Sequence, residues 1–312
     1  MSENSLISVI VTTFNSEKYI ETALISAIEQ TYENLEIIVI DDGSSDSTCR
    51  IVQSLADKDN RISLLKKEHS GNIGKNCNDA ARESNGEFIA KLDYDDIWRK
   101  DKIEKQLEHV SLYKLVCSDA REINGNGEVT SNCCHCLGGD KEIELPLLLG
   151  NNYVINSSVL IHKDVFWECG GYEQDLGFRG EDYVLWLKVA SKYKIKYLNE
   201  TLVDYRIHGN NYSMYSVEEK LKLRENAISI RTKYLEGYGK KADYSAREGI
   251  ILALKEQCRL LYSIKDYKGA AEKSLQIIKL SNSKLNLKFI KIVVFYLYAK
   301  FLNLIKAQPS EI

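Results

Sequence analysis

Two short apolar runs, each ending in carboxylates, constrain the fold of this chain more than any other feature. Residues 35–40 are almost wholly apolar and lead into Asp41 and Asp42, and a second run starts at Phe88 and leads into Asp93, Asp95 and Asp96. Strands that are apolar on both faces are typical of parallel sheets covered by helices. Ligands of such open α/β sheets bind beyond the carboxyl ends of the strands, so both acidic clusters are predicted to lie at a nucleotide-binding crevice.

The acidic cluster after the second run consists of Asp93, Asp95 and Asp96. Neighbouring carboxylates repel one another unless a cation lies among them, and oxygen ligands suit Mg²⁺ or Mn²⁺ bound to substrate phosphates. Asp93 and Asp95 are two positions apart, so in an extended backbone their side chains point the same way. These residues predict a divalent metal site, and a solvated acidic turn is the alternative.

The first hundred residues alternate between strand-like and helix-like patterns. Strands are predicted at 7–14, 35–40, 61–65 and from 88, with helices at 20–30, from 48 and at 76–84. This order predicts βαβ units and an α/β fold with a parallel sheet. The chain contains neither the glycine-rich dinucleotide fingerprint nor a P-loop, which counts against those two kinds of nucleotide site.

Local chemistry offers simpler explanations for two of the polar loops. Asp41 and Asp42 also suit a helix-capping turn, because Asp and Ser are common in turns for local reasons. Lys75 follows a glycine-containing loop at 69–74. It is either a phosphate-binding lysine or a solvated lysine at a helix start, and the sequence leaves both interpretations open.

Composition excludes some functional classes and favours a cytoplasmic protein. The 312 residues carry a net charge of −3, which gives no electrostatic footprint for nucleic acid. The apolar stretch near the N-terminus is short and lacks a preceding basic segment, so we expect no signal peptide. The eight cysteines are therefore predicted to be reduced thiols.

Residues 97–215 are harder to interpret from pattern alone. A helix is predicted at 98–110, strands at 115–119 and 154–161, a turn at 124–127 and a helix from 180. The stretch Cys133-Cys134-His135-Cys136 suggests zinc, but structural zinc sites use spaced pairs, and adjacent residues do not easily close one tetrahedron. A variable loop with free thiols is the preferred interpretation.

Five short motifs follow one another in a fixed order. They are Thr12-Thr13-Phe14-Asn15, Asp41-Asp42-Gly43-Ser44-x-Asp46, Asn72-x-Gly74, Gly86-Glu87-Phe88-Ile89 and Leu92-Asp93-Tyr94-Asp95-Asp96. Together they resemble the family 2 glycosyltransferases over about residues 6–215. The resemblance implies the GT-A fold, a Rossmann-like mixed sheet flanked by helices, and transfer from a nucleotide-diphosphate sugar with inversion of the anomeric centre.

The same resemblance implies roles for the residues that match the first motifs. Thr12, Phe14 and Asp42 fall where the family holds uracil and ribose. Asp93 falls where the family contacts the ribose or the metal, and Asp95 matches the carboxylate that binds the divalent ion, Mn²⁺ or Mg²⁺, on the donor diphosphate.

One departure from the family pattern concerns the donor phosphates. Many members carry Ala-Arg-Asn after the Asn-x-Gly loop, whereas this chain has Asn76-Cys77-Asn78. Lys75 is the candidate substitute for the missing phosphate contact.

Two later segments complete the resemblance. Glu181 and Asp182 open a predicted helix, where acidic residues also favour the helix dipole. In the family an aspartate at this place accepts the proton of the acceptor hydroxyl, so Asp182 is the candidate general base and Glu181 would orient it or bind acceptor. Arg206 and His208 match a Tyr-Arg-x-His segment near the diphosphate, with His208 as a metal or diphosphate ligand and Arg206 as a phosphate ligand.

The region after residue 215 consists of long helical patterns with few glycines and is predicted to be a helical extension. We expect a catalytic domain at 1–215 and helices at 216–312, including a hairpin of 253–264 and 270–280. Residues 290–305 are strongly apolar, but Lys291 and Lys300 bracket too few residues to span a bilayer. This helix is either a packing helix, which is preferred, or an interfacial anchor that makes peripheral membrane contact at the inner face of the cell membrane.

The sequence thus predicts a metal-dependent inverting glycosyltransferase. Its donor would be a UDP-sugar and its acceptor a hydroxyl of a glycan or lipid-linked molecule, as in cell-surface polysaccharide synthesis. A sugar-phosphate nucleotidyltransferase is one alternative, although it would want a basic triphosphate loop early in the chain. A non-catalytic nucleotide-sugar-binding scaffold is the other.

Overall fold

The computed structural model describes residues 5–135, 137–175, 180–208, 216–233, 238–281 and 287–306. The chain divides into two compact units. The first comprises residues 1–148, 152–177 and 181–209, and the second comprises 149–151, 178–180 and 210–312.

The first unit is built on a mixed sheet. Its strands are β1 (Ile7–Thr13), β2 (Leu35–Asp41), β3 (Ile62–Lys66), β4 (Phe88–Asp93), β5 (Ile97–Trp98), β6 (Leu115–Asn124), β7 (Val129–Ser131), β8 (Lys141–Ile143), β9 (Leu160–His162) and β10 (Ile195–Ile207). The order is β3-β2-β1-β4-β9-β6-β10-β5, with β7 beside β6 and β8 beside β10. The β1, β2, β3 and β4 strands pair in parallel, whereas β9 is antiparallel to both of its neighbours.

The helices fall into two groups along the chain. Those interspersed with the strands are α1 (Ile20–Ile28), α2 (Thr48–Ala56), α3 (Ile73–Glu83), α4 (Lys102–Leu107), α5 (Leu145–Gly150), α6 (Lys163–Glu168) and α7 (Glu181–Ala190). Those that follow the sheet are α8 (Val217–Thr232), α9 (Lys240–Ser263), α10 (Tyr267–Leu280) and α11 (Leu287–Lys306). The predicted α/β class, with a mixed sheet and C-terminal helices, is confirmed.

Burial explains why the strands and helices of the N-terminal half could be predicted from the sequence. Val9, Ile10 and Val11 in β1 are all fully buried, as expected for a central parallel strand whose two faces are both covered. The α1 helix buries Ile20, Ala23, Leu24 and Ala27, the positions that its helical spacing assigns to the core. The parallel register places Thr12 opposite Asp93 and Thr13 opposite Asp41, so the three strands end at one edge.

Two predicted elements between residues 97 and 162 are present with shorter bounds: the helix predicted at 98–110 is α4 (Lys102–Leu107), and only the end of the strand predicted at 154–161 is a strand. Trp98 does not begin a helix but pairs with Val203 in β5, and its indole N–H donates to the Ser157 carbonyl oxygen at 2.7 Å. The predicted strand at 154–161 is instead a 3₁₀ turn at Asn156–Ser158 followed by β9. Both segments take their conformation from partners distant in sequence, which local propensity does not record.

Among the described residues, the cysteines differ from expectation at one position. Cys133 is disulfide-bonded, so the prediction of reduced thiols fails there. The free thiols are Cys49, Cys77, Cys117, Cys134, Cys169 and Cys258. The bonded state of Cys133 withdraws it from zinc coordination, and Cys136, the last residue of that stretch, lies outside the described residues.

The second unit is helical. The predicted hairpin is present between α9 and α10, and its turn includes Lys265 with a positive φ of 61° and Asp266, whose side chain caps α10 by accepting from the Gly269 N–H at 2.9 Å. The α11 helix packs Phe295 and Ala299 against the core of this unit. None of the described helices is both long and apolar enough to cross a membrane.

Candidate active site

The loops after β1 and β2 are tied together at the edge of the sheet. Asn15 adopts a positive φ of 47°, which Asn tolerates better than most residues. Its backbone N–H donates to Ser44 Oγ at 2.8 Å, and its Oδ1 accepts from the Ser45 N–H at 2.9 Å. The two polar loops therefore form one surface.

Asp42 is a saturated hydrogen-bond acceptor on that surface. Its Oδ1 accepts from the Ser70 N–H and hydroxyl, and its Oδ2 accepts from the Gly71 N–H, each at 2.9 Å. Burial opposes ionisation, but the bonds from Ser70, Asn76 and Gly71 prevail and lower the pKa of Asp42. Glycine is required at position 43 for two reasons. Its φ of +80° is unfavourable for other residues, and the Cβ of any other residue would lie 2.8 Å from the His69 backbone nitrogen.

An aromatic surface lies next to Asp42. The Phe14 ring is 40% exposed and stacks on His69, with the ring centroids 4.1 Å apart and the planes inclined by 22°. His69 Nδ1 lies 3.1 Å from Asp42 Oδ2, so the three side chains are grouped. Thr12 lies on the same strand end, its Oγ1 4.0 Å from Cys77 Sγ. The sequence motifs named Thr12, Phe14 and Asp42 as candidates but gave no signal for His69.

Asp93 ends β4 and is held by a buried lysine. Lys91, which is 1% exposed, places Nζ 2.8 Å from Asp93 Oδ1, and Asn156 Nδ2 lies 3.2 Å from the same oxygen. Burial opposes ionisation, but the Lys91 charge and these bonds prevail and lower the pKa of Asp93. Asp93 is therefore a charged, fixed acceptor before any ligand binds. Neither Lys91 nor Asn156 was recognised from the sequence.

The backbone between Asp93 and Asp95 is a turn, so the extended conformation on which their common orientation was predicted is not present. The chain turns after Asp93, whose carbonyl accepts from the Asp96 N–H at 3.2 Å. Asp95 Oδ2 instead lies 2.8 Å from His208 Nε2. Burial, followed by the charge of Asp93, raises the pKa of Asp95. This carboxylate gains from a cation, whereas Asp93 already has one.

Asp96 connects the acidic loop to β10. Its Oδ1 accepts from the Arg206 N–H at 2.9 Å, and its Oδ2 has no hydrogen-bond partner within the described part of the chain. Burial, followed by the charge of Asp95, raises the pKa of Asp96 well above its usual value. Because it is buried and faces the protein, Asp96 is placed to hold the loop rather than to contact a ligand.

Arg206 and Tyr19 support the Asp95–His208 pair. Arg206 Nε donates to the Asp95 carbonyl oxygen at 2.7 Å and Nη1 to the Asn124 carbonyl oxygen at 3.2 Å. The guanidinium lies 4.8 Å from the centre of the Tyr19 ring, and the His208 ring lies 4.7 Å from the same ring. Tyr19, at the start of α1, was missed because its partners are nearly two hundred residues away.

Lys75 is engaged with an acidic residue on its own helix. It lies in the first turn of α3, where its N–H donates to the Asn72 side chain at 2.8 Å. Its ammonium lies 2.9 Å from Asp79 Oδ2, and Lys67 and Arg82 also pair with Asp79. Such a surface ion pair is weak, so it does not fix Lys75 in place.

Glu181 and Asp182 form the first turn of α7, as predicted. Burial, with a further contribution from the charge of Glu181, raises the pKa of Asp182 to about 7. Asp182 Oδ1 accepts from the Tyr183 N–H at 2.6 Å. A carboxylate that titrates near neutrality is suited to accept a proton at physiological pH.

A chain of contacts links α7 to the acidic loop. Asn156, which contacts Asp93, accepts from the Tyr172 hydroxyl at 2.8 Å. The Tyr172 ring makes an edge contact with Trp186 of α7, with the centroids 5.9 Å apart. Asn78 fixes Tyr172 through both of its backbone groups at 2.8 Å. These residues couple the position of the candidate base to the strand end.

The side chains near Asp95 supply only some of the ligands that a divalent cation needs before substrate binds. Within the described residues, no trio of His, Cys, Asp and Glu side chains forms a preassembled metal site. Asp95 and His208 nevertheless face each other with one oxygen and one nitrogen donor. A cation that keeps substrate phosphates and water as its remaining ligands needs no more than one or two protein ligands.

Comparison with known proteins decides the family. The sequence profile of Glycosyl transferase family 2 matches residues 8–170. The chain belongs to glycosyl transferase family 2. It is 30% identical over 230 residues to the UDP-Glc:alpha-D-GlcNAc-diphosphoundecaprenol beta-1,3-glucosyltransferase WfaP of Escherichia coli, covering 73% of this chain and 88% of that protein.

Two further likenesses agree. The putative teichuronic acid biosynthesis glycosyltransferase TuaG of Bacillus subtilis is 30% identical over 212 residues, covering 67% of this chain and 81% of TuaG. The structure of S. aureus TarS 1–349 in complex with UDP-GlcNAc matches with a TM-score of 0.70 at 18% identity, covering 96% of this chain and 88% of that chain. The predicted glycosyltransferase family and GT-A fold are thereby confirmed.

Proposed function

We propose that this glycosyltransferase moves a sugar from a UDP-sugar to a hydroxyl of a glycan or lipid-linked acceptor, with inversion, in cell-surface polysaccharide synthesis. The observation that carries the proposal is Asp182, a carboxylate with a pKa of about 7 whose helix is joined to the acidic strand end through Tyr172 and Asn156. The names of WfaP and TuaG support the kind of pathway.

The donor nucleotide binds at the ends of β1 and β2. Thr12, Phe14 and Asp42 hold the uracil and ribose, with the exposed Phe14 ring offering an apolar face to the base. Asp93, kept ionised by Lys91, accepts from the ribose hydroxyls or joins the metal shell. The UDP-GlcNAc bound to TarS and the UDP-Glc in the name of WfaP support a UDP-linked donor.

The donor diphosphate lies against Asp95 and His208. These two residues would hold Mn²⁺ or Mg²⁺, which when bound offsets the negative charge of the departing diphosphate. Arg206 fixes the backbone of Asp95, and in this proposal it would lie close to the phosphates. Lys75 exchanges its weak pairing with Asp79 for a phosphate oxygen, which makes up for the arginine of the family motif that this chain lacks.

The chemical step is a single in-line displacement. The acceptor oxygen forms a bond to the anomeric carbon on the face opposite the diphosphate, while the bond from that carbon to the phosphate oxygen breaks. Asp182 takes the acceptor proton, a contribution of roughly 10²–10⁴ in rate. Glu181 orients Asp182 or binds the acceptor, and the configuration at the anomeric carbon is inverted.

A transfer assay with separate donor-binding measurements tests this proposal. Asp182→Asn should bind UDP-sugar as the unchanged protein does and lose at least about 10²-fold in transfer. Asp164→Asn, which removes the charge of a carboxylate that is 93% exposed and has no role in the site, is the matched control and should retain full activity. Full transfer by Asp182→Asn would refute the assignment, and pyrophosphate release from a nucleoside triphosphate would favour a nucleotidyltransferase instead.

A further inference from the structure

The α11 helix carries an apolar stripe that the described part of its unit leaves about half exposed. Val294, Leu297, Tyr298 and Phe301 are each between 50% and 58% exposed. Their spacing of three, four and seven residues places them on one face of the helix. A continuous exposed apolar surface of this kind marks an interaction site on a soluble protein.

The other side of the same helix already has its packing partner. Phe295, Tyr296 and Ala299 pack against Leu261, Ala270 and Ala271, and Ile292 and Phe295 pack against the cluster around Ile250 and Leu254. In the described part of the unit, this face of the helix packs on α9 and α10, and the stripe adds a hydrogen bond between the Tyr298 and Tyr262 side chains. Among the described residues, the packing face of α11 and its exposed stripe are therefore different sides of the helix.

Charge narrows the choice of partner. The sequence of α11 contains Lys288, Lys291, Lys300 and Lys306 and no acidic residue. A second copy of the chain would bring two such helices together and set like charges against each other. An anionic lipid surface offers the opposite charge together with an apolar layer, and lysines that flank an apolar stripe can keep their ammonium groups among the headgroups.

We propose that α11 lies in the plane of an anionic membrane surface, with Val294, Leu297, Tyr298 and Phe301 inserted at the boundary between headgroups and acyl chains. This is peripheral binding by a helix with one apolar face. It goes beyond the proposed sugar transfer and does not depend on it, because vesicle binding is measured without donor or acceptor.

Cosedimentation of the full chain with lipid vesicles tests the inference. The unchanged protein should bind vesicles that contain phosphatidylglycerol and bind pure phosphatidylcholine vesicles less. Leu297→Asp combined with Phe301→Asp should weaken binding at least about tenfold, because charges in the apolar boundary are costly. Leu112→Asp is the matched control: Leu112 is 81% exposed in the first unit, and its change should leave binding unaltered.

A charge variant separates the electrostatic part. Lys300→Gln should lower affinity for the anionic vesicles about fivefold at low salt and have little effect at high salt. Circular dichroism should show that all variants keep the helical content of the unchanged protein. The inference is overturned if the unchanged chain ignores phosphatidylglycerol vesicles or if the double variant binds them equally well. It is also overturned if light scattering shows a dimer that the double variant abolishes, because the stripe would then belong to a second copy.

Discussion

Asp42 and Asp95 follow similar apolar strands, yet the protein treats the two carboxylates in opposite ways. Asp42 accepts three hydrogen bonds from Ser70 and Gly71, and these bonds help to lower its pKa. Burial and the charge of the neighbouring Asp93 raise the pKa of Asp95, and the Asp95 side chain contacts that of His208. The hydrogen bonds of the protein already stabilise the ionised Asp42 carboxylate, whereas a bound cation would stabilise the ionised Asp95 carboxylate.

The difference teaches that an acidic residue after a strand does not reveal its chemistry by itself. Backbone N–H groups that converge on Asp42 make it a rigid recognition group that needs no metal. Asp95 lacks that set of donors and is crowded by acids, which is the condition under which a divalent cation adds most. The predictions below test this contrast, beginning with the largest expected effect.

Asp95→Asn should abolish most activity without harming the fold. The amide cannot supply the negative charge that binds a cation, so transfer should fall about 10²–10³-fold. The free energy of unfolding should stay the same or rise, because repulsion with Asp93 is relieved. Steady-state kinetics and urea unfolding measure the two quantities, and a variant with normal transfer would remove Asp95 from the metal site.

Asp42→Asn, in contrast to Asp95→Asn, should lower the free energy of unfolding. The amide cannot accept from every donor that now converges on the carboxylate, so buried N–H or O–H groups lose their partner. We expect a loss of about 2 kcal/mol in the free energy of unfolding. Urea denaturation followed by circular dichroism gives this value, and the same experiment on Asp95→Asn is the internal control. Equal stability in the two variants would break the comparison.

Tyr19→Leu should weaken donor binding through its two partners. The ring contacts both Arg206 and His208, so its removal should loosen the metal ligand and raise the donor KM about tenfold. Tyr19→Phe keeps the ring and serves as the control, since the ring makes both contacts. Uridine binding, which does not involve the diphosphate, should be unchanged in both variants. A loss in Tyr19→Phe as large as in Tyr19→Leu would contradict this role.

Asp182 adds a third carboxylate to the comparison and gives a smaller, pH-dependent effect. A general base must be ionised, and the pKa of Asp182 is raised to about 7, so kcat/KM should fall as the pH drops below 7. Glu181→Gln removes a charge that raises this pKa, and the acidic limb should therefore move to lower pH. A pH–rate profile measures the shift. A limb that stays in place or moves upward would exclude the pairing.

The sequence predicted the N-terminal half of the fold well because local pattern and burial agree there. The β1 and β2 strands are buried on both faces, and α1 buries its predicted face. Trp98 and Asn156 were misassigned because their conformations depend on Val203 and on Asp93, respectively. Local propensity carries no information about such distant pairings.

The candidate site was predicted in part for the same reason. Residues that lie in motifs, such as Asp95 and Asp182, became candidates through their order along the chain. Lys91, Tyr19 and Tyr172 act through contacts with residues far away in sequence or in no motif, so nothing in their local pattern distinguishes them from ordinary core residues. The three-dimensional structure is needed to show that Asp93 is already paired with the Lys91 ammonium group.

The most direct test of this account is the location of manganese in a crystal soaked with UDP and Mn²⁺. An anomalous difference map should show the ion bound to Asp95 Oδ2 and His208 Nε2, with the two side chains no longer bonded to each other and with Asp42 still held by Ser70 and Gly71. An ion bound at Asp42, or an Asp95–His208 contact left intact beside bound UDP and metal, would contradict the central claim.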